Sequence, residues 1–382
     1  MAQFAGPGAD WRPGWLERAR GLRDRLLMSP GFQRWAAAFP VTRWIATRRE
    51  RELFDLCAGF VYTQTLLACV RLQVFQVLAD GPLTSAMVGT RVGLSTVMAE
   101  RLLLAATALR LLERRGEDRF GLGPLGAAIL GNPSVADMIE HHSMLYEDLR
   151  DPVALLRAGT GTGALHDYWA YARADQPAQL DAGRVADYSA LMAASQTMVA
   201  EDVVAAWDFG RYRTILDVGG GEGVFLSAVG AAAPRAQLVL FDLPPVARRG
   251  GERLNAAGFA GRARAVGGDF CLDPLPRGAD LITLVRVLHD HDDDLVLKLL
   301  RAVRQAMDAG STLLVAEPMA GTAGAERIGD AYFGFYLLAM GSGRARTPTE
   351  LTRLLEMSGF TDIRLPPTRR PLRVRLLTAR PA

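Results

Sequence analysis

The chain has 382 residues, 49% hydrophobic and 22% charged, with a formal net charge of +3; that is enough for two domains and a substantial core, and it is the balance of an ordinary soluble globular protein. So small a charge gives no global case for nucleic acid as a partner. Three cysteines, Cys57, Cys69 and Cys271, without a CxxC pair suggest neither a disulfide framework nor a zinc site and fit a reducing cytoplasm.

Residues 1–50 read as a basic, Trp-rich extension. Residues 1–51 hold four of the six tryptophans (Trp11, Trp15, Trp35, Trp44) and ten arginines against four acids, with Pro13, Pro30 and Pro40 as breaks. Two readings stand for these short helices: packing on the body of a dimer, or peripheral contact with an anionic membrane surface, tryptophans at the interface and arginines toward headgroups. No apolar leader with a small-residue cleavage site is present. The most apolar run, 56–72, is interrupted by Thr63, Gln64 and Thr65 and ends at Arg71, too polar and short for a membrane span.

Residues 51–205 read as a mainly helical second region. After helical spacing to about residue 79, Gly81-Pro82-Leu83-Thr84 opens a short helix stopped by Gly93, and Ser95 caps a longer helix from Thr96 to Leu109. Residues 111–114 and 119–122 flank Gly116-Glu117-Asp118 as a hairpin wing. This is a winged helix, yet its second helix carries only Glu100 and Arg101 as charges, so it offers little to phosphates or base edges; it reads as apolar all round and buried. Residues 132–206 are expected to be mainly helical. Within them His141 and His142 are neighbours, which do not share a helix face, and no carboxylate at ligand spacing completes a metal set.

Residues 206–382 read as the nucleotide-binding part. The β-forming run Thr214–Val218 breaks into four glycines within residues 219–223, and an amphipathic segment follows. That is strand, tight turn and helix, in which backbone N–H groups can face a ligand directly. A dinucleotide site wants a third small residue where Val224 stands, so NAD is disfavoured. Asp217 closes this strand and Asp242 closes the next, 237–241, where a carboxylate can accept ribose hydroxyls. Later runs lead to Asp269-Phe270, to His289 and to Glu317. Asp217, Asp242, Asp269, His289 and Glu317 are 25, 27, 20 and 28 residues apart, and in a parallel sheet with helical crossovers such strand ends share one rim.

The string Asp217-Val218-Gly219-Gly220-Gly221-Glu222-Gly223, with Asp242 after it, resembles motifs I and II of the class I S-adenosylmethionine methyltransferases. The winged helix beside it resembles the small-molecule O-methyltransferases within that class. The resemblance implies a doubly wound, Rossmann-like α/β sheet, an N-terminal helical domain that forms a homodimer, and S-adenosylmethionine as methyl donor. It places Asp242 and Leu243 at the ribose, Asp269 and Phe270 at the adenine, and the backbone of Gly219 and Gly221 at the methionine portion. Residues 188–195 correspond to a segment passing over the cofactor, with Met192 and Ser195 contributing. His289-Asp290 resembles the family's HD(W) motif, which makes His289 the base that deprotonates the acceptor hydroxyl; Glu317 and Glu350 match the glutamates that bracket it. His291 stands where the family usually has Trp, and could share the role.

The aromatic stretch 330–340 is implied to face the acceptor, with Phe333, Tyr336 and Met340 in a wide apolar pocket and residues 141–146, Met144 among them, as another wall. Residues 53–62, 138–142 and 331–346 carry a narrower resemblance to the carotenoid O-methyltransferases of purple photosynthetic bacteria. It implies a lipophilic acceptor, the tertiary 1-hydroxyl of demethylspheroidene or hydroxyneurosporene, and a location in the cytoplasm or at the inner face of the photosynthetic membrane. The residues themselves do not select a carotenoid over another lipophilic phenol or polyketide. A winged-helix regulator that senses S-adenosylmethionine is the non-enzymatic alternative, against which His289, Glu317 and Glu350 stand.

Overall fold

The computed structural model describes residues 14–168 and 196–382, so Trp11 and Pro13 lie outside the described residues. Residue contacts divide the chain into two units, Met1–Leu125 and Gly126–Ala382. Two features accompany that division. One helix, Pro40–Arg71, runs through residue 50 without a break. Leu145, Leu155 and Leu165 pack with Tyr336, Leu337 and Met340, which ties residues after 126 to the later chain.

In the first unit Pro30 and Pro40 stand in the first turn of a helix, where a missing N–H costs no hydrogen bond. The helices are α1 (Trp15–Met28), α2 (Pro30–Ala38) and α3 (Pro40–Arg71). No residue of α1 or α2 is buried, and α3 buries Leu67 and Cys69 near its end. By length and composition α3 is the one helix among the described residues that could cross a bilayer.

The winged helix forms as its caps dictate. After α4 (Val74–Val77), Thr84 Oγ1 accepts from the Met87 N–H to start α5 (Ser85–Val92), which ends at left-handed Gly93. Ser95 Oγ accepts from the Met98 N–H to start α6 (Thr96–Ala108). Strands β1 (Leu83–Thr84), β2 (Leu112–Arg114) and β3 (Arg119–Leu122) pair antiparallel in the order β1-β3-β2. The expected all-round burial of α6 holds for one face only: Ala99, Leu103 and Ala106 are buried, whereas Val97, Met98 and Leu104 are exposed.

The second unit is built on a seven-stranded sheet, β4 (Thr214–Val218), β5 (Gln237–Asp242), β6 (Ala263–Gly267), β7 (Leu281–Val285), β8 (Thr312–Glu317), β9 (Phe360–Arg364) and β10 (Arg375–Pro381). The order is β6-β5-β4-β7-β8-β10-β9. The first five strands are parallel, and β10 runs antiparallel to both β8 and β9. Alternate side chains feed two cores, as the period of a strand requires. Leu216, Val239, Ile282 and Leu313 meet Val296, Leu299, Leu300 and Leu355 on one face. Ile215, Leu238, Leu281 and Leu314 meet Val203, Phe225, Leu226 and Val229 on the other.

Both faces being covered, the open places are the strand ends. Parallel pairing puts the carboxyl ends of β6, β5, β4, β7 and β8 side by side, in that order. The strand order reverses direction at β4, where the chain leaves for β5 on one side and later for β7 on the other, and open α/β sheets take their ligands at such a point.

Candidate active site

The turn after β4 is shaped by its glycines. Gly219, Gly221 and Gly223 have φ of +70°, +56° and +75°, a region that side chains disfavour. A Cβ on Gly219 would also stand 2.8 Å from Val287 Cγ2, so the turn lies directly against the loop that follows β7. Asp242 Oδ2 accepts from the Gly221 N–H at 2.7 Å and Oδ1 from the Leu243 N–H at 2.7 Å. Each oxygen keeps a second lone pair for a donor outside. Burial pushes the Asp242 carboxyl up to about 6, against the pull of those two N–H groups.

Asp217 is buried beneath the turn. Burial pushes its carboxyl up to about 7, opposed by the Thr283 hydroxyl, which donates to Oδ1 at 2.6 Å, and reinforced by the charge of Asp242. Its Oδ2 is buried without a hydrogen-bond partner, which is costly unless a donor arrives. The site therefore fits a nucleoside donor that carries an ammonium and a ribose diol: an orphaned acceptor, a glycine cradle and a carboxylate with free lone pairs lie at one strand end. Asp269 is held in its own loop, with Oδ1 accepting from the Cys271 N–H at 2.8 Å. Beside it the ring of Phe270 meets that of His291 edge-on at 5.5 Å.

His289 lies four residues beyond β7, in the 3-10 turn Leu288–Asp290, and not directly at the strand end as expected. Between them Arg286 turns the chain with φ of +58°. Glu317, at the end of β8 and 2% exposed, holds this turn. Its Oε1 accepts from the N–H groups of Val287 (2.9 Å) and Leu288 (2.7 Å), and its Oε2 accepts from His289 Nδ1 at 2.5 Å. A carboxylate can only accept, so Nδ1 carries the proton and Nε2 is left as the basic atom. Asp290 Oδ1 lies 3.1 Å from Nε2. Burial disfavours the imidazolium, but Asp290 and Glu317 outweigh it and the His289 pKa is raised.

Glu350 is not one of the acids beside His289. Its Oε2 accepts from the backbone N–H and hydroxyl of Thr347, both at 2.8 Å, closing a capping box on the helix Pro348–Met357. Its Oε1 takes Arg344 at 2.7 Å. Asp290 is the second carboxylate at the imidazole, and burial pushes it up to about 6.

Two groups escaped the sequence reading. Arg346 is 2% exposed, and its guanidinium donates to Leu288 O (2.6 Å), His291 O (2.7 Å) and Asp293 Oδ1 (2.8 Å), gripping the turn from behind. A buried arginine in a glycine-rich stretch was the available signal. Gly343, at φ of +80°, is packed against the backbone of His289 and Asp290 with no space for a Cβ. His291 is a poor base here, since burial and His289 push it down to about 4.

The aromatic stretch begins with π-helical turns, Arg327–Tyr332, and continues as the helix Phe333–Met340. Phe333 meets the His289 ring edge-on at 5.6 Å. Tyr332 and Tyr336 stack at 5.6 Å, and each phenol is tied to an imidazole: His142 Nε2 to Tyr332 Oη at 2.8 Å, His141 Nε2 to Tyr336 Oη at 2.9 Å. Burial lowers both histidines, His141 to about 4, which favours the neutral imidazole. Met144 borders the same cluster, while Met340, 1% exposed, is fully inside it. Met192 and Ser195 lie outside the described residues.

Residues 146–361 match the O-methyltransferase domain model and residues 54–132 the O-methyltransferase dimerisation domain model. The demethylspheroidene O-methyltransferase of Cereibacter sphaeroides is 45% identical over 358 residues, 94% of this chain and 94% of that one. Its counterpart of the same name in Rhodobacter capsulatus is 43% identical over 328 residues, 85% of this chain and 81% of that one. Human N-acetylserotonin methyltransferase, solved in complex with SAM, superposes with a TM-score of 0.73 at 26% identity, covering 87% of this chain and 98% of that one.

The grip of Arg346 is expected to govern turnover and not donor binding. Arg346→Lys keeps one charge but loses the planar fork, and a drop in kcat of roughly 10–100-fold is expected with calorimetric affinity for S-adenosylmethionine unchanged.

Proposed function

The chain belongs to the S-adenosylmethionine-dependent O-methyltransferase family, and we propose that it methylates the tertiary 1-hydroxyl of an acyclic carotenoid, demethylspheroidene or hydroxyneurosporene, with His289 as general base. The observation that supports the base is the pairing of Glu317 with Nδ1, which leaves Nε2, facing Asp290 Oδ1 at 3.1 Å, as the nitrogen to receive a proton. The acceptor is supported by the two relatives' names and by the stacked tyrosines beside His289, whose hydroxyls are already spent on histidines.

When bound, S-adenosylmethionine supplies an electrophilic methyl group on a sulfonium. The glycine turn and Asp242 orient it at the β4 end, and Asp217 Oδ2 offers its orphaned acceptor to a donor there. At the acceptor end His289 Nε2 would take the hydroxyl proton as the oxygen takes the methyl group, the S–methyl bond breaking and the donor leaving as a neutral thioether. A tertiary alcohol is weakly acidic, so proton removal accompanies attack instead of preceding it. The new imidazolium is stabilised by Glu317 on one nitrogen and Asp290 on the other. Phe333 beside the ring, and Tyr332, Tyr336 and Met144 beyond it, form the apolar wall along which a polyene lies.

The same reading gives assembly and place. The dimerisation region, the open apolar side of α6 and the exposed Leu53, Phe54, Leu56 and Phe60 of α3 support a homodimer. A substrate insoluble in water supports a cytoplasmic enzyme resting on the inner face of the photosynthetic membrane through its first fifty residues.

Labelled S-adenosylmethionine with 1-hydroxylated carotenoid in detergent is expected to yield a labelled methoxy carotenoid; label entering a phenol but no carotenoid would overturn the acceptor and leave the reaction. His289→Ala is expected to lower kcat by roughly 10²–10⁴-fold with donor affinity kept. Because the neutral imidazole is the active form and its pKa is raised, activity is expected to fall on the acid side with an apparent pKa above 6.5. Glu317→Gln removes one of the charges that raises it, so that limb should move to lower pH in a kcat profile.

A further inference from the structure

We propose that the N-terminal helices form a lipid-docking device in which Arg43, Arg48 and Arg51 on α3 take the phosphates of anionic phospholipids while Trp15, Trp35 and Trp44 seat in the interface. It deepens the membrane location proposed above and is independent of which acceptor is methylated.

Among the described residues nothing buries the apolar side chains of α1 and α2. On α1, Trp15, Leu22 and Leu26 recur at seven and eleven residues and so share one helix face; they are 76%, 55% and 43% exposed. On α2, Trp35 stacks on Phe39 at 5.1 Å and meets Phe32 at 5.6 Å, yet Trp35 is 52% exposed. These are rigid amphipathic rings of the kind that settle at headgroup depth.

The first half of α3 adds the charge. Pro40, Arg43, Trp44, Thr47, Arg48 and Arg51 line one surface depression, with Glu52 and Asp55 at its far end. Arg43 donates to Ala38 O at 3.2 Å, which fixes it at the end of α2, and Arg48 pairs with Glu52 at 2.9 Å in the open. Arg51 has no partner among the described residues. Three guanidiniums on consecutive turns around an exposed tryptophan match a plane of phosphates above acyl chains.

Neither of the other occupants fits as well. A second copy seated here through a twofold axis would bring three arginines and only two acids, Glu52 and Asp55, from each side, and so press one net positive surface against another. A nucleic-acid backbone would meet the arginines but leave Trp15, Leu22, Leu26 and Trp44 in water, with no apolar counterpart.

Full-length protein should float with phosphatidylcholine vesicles that contain phosphatidylglycerol and not with phosphatidylcholine alone, and added salt should release it. Neutralising the triad, Arg43→Ser with Arg48→Ser and Arg51→Ser, should weaken partitioning by roughly fivefold per arginine, on the order of a hundredfold together. Trp15→Ser with Trp35→Ser and Trp44→Ser should abolish flotation even at low salt. Arg43, Arg48 and Trp35 make only local contacts within α2 and α3, so unchanged melting temperatures should show that both variants fold. Absence of flotation for the unaltered protein overturns the proposal, as does equal flotation of the arginine variant. A fall in mass by light scattering in either variant would assign the face to a second copy, and equal retention on duplex DNA at the same salt would assign it to a generic polyanion. Methyl transfer to acceptor in detergent, measured on the same samples, should be unaltered; its loss in the unaltered protein would count against the acceptor and not against lipid docking.

Discussion

The second unit turns on one carboxylate. Glu317 is buried, and both oxygens are committed: one to two successive backbone N–H groups, the other to an imidazole. A buried carboxylate is tolerable only when its acceptor capacity is used, so the charge and the shape of the 287–289 turn need each other. The consequence runs outward. Val287 lies against Gly219, Arg346 holds Leu288 and His291 from behind, and Gly343 lets its loop approach the turn closely. Donor cradle, base and supporting loop thus share one small set of contacts at the carboxyl ends of neighbouring strands.

Around that carboxylate, burial does most of the electrostatic tuning. Asp217, Asp242 and Asp290 are all pushed up toward neutrality by loss of water, which leaves them sensitive to whatever donor or cation arrives. His289 moves the other way from its burial, because two acids flank it. In the proposed reaction the acids would receive positive groups and the imidazole a proton, a division that methyl transfer from a sulfonium to a hydroxyl requires.

Much of this was legible in the chain. Strand ends are marked by a change from apolar β-formers to acids or glycines, and the period of two then sorts the side chains between faces, so Asp217, Asp242, Glu317 and the glycine turn fall where spacing puts them. What spacing cannot supply is the path between elements. The left-handed turn at Arg286 and the short 3-10 turn swing Asp290 beside the imidazole, and no pattern announces either. Glu350 follows Thr347 by three residues, and that signature belongs to a helix start as much as to a catalytic acid; its hydrogen bonds to Thr347 are those of the helix start. The packing of Leu145, Leu155 and Leu165 on Tyr336, Leu337 and Met340 joins side chains nearly two hundred residues apart, which no local pattern announces. The tie of His141 and His142 to Tyr336 and Tyr332 spans a similar separation and leaves no trace in composition.

Those two imidazole–phenol pairs carry one more implication. Held toward the neutral form by burial, they are not among the influences on the His289 pKa, which are burial, Asp290, Glu317 and Arg286. On the proposed reading, acceptors of different length or unsaturation would shift along the aromatic surface without retuning the proton transfer. Recognition and chemistry become separable traits, and the range of alcohols a descendant of this chain could methylate is free to drift while its base stays fixed.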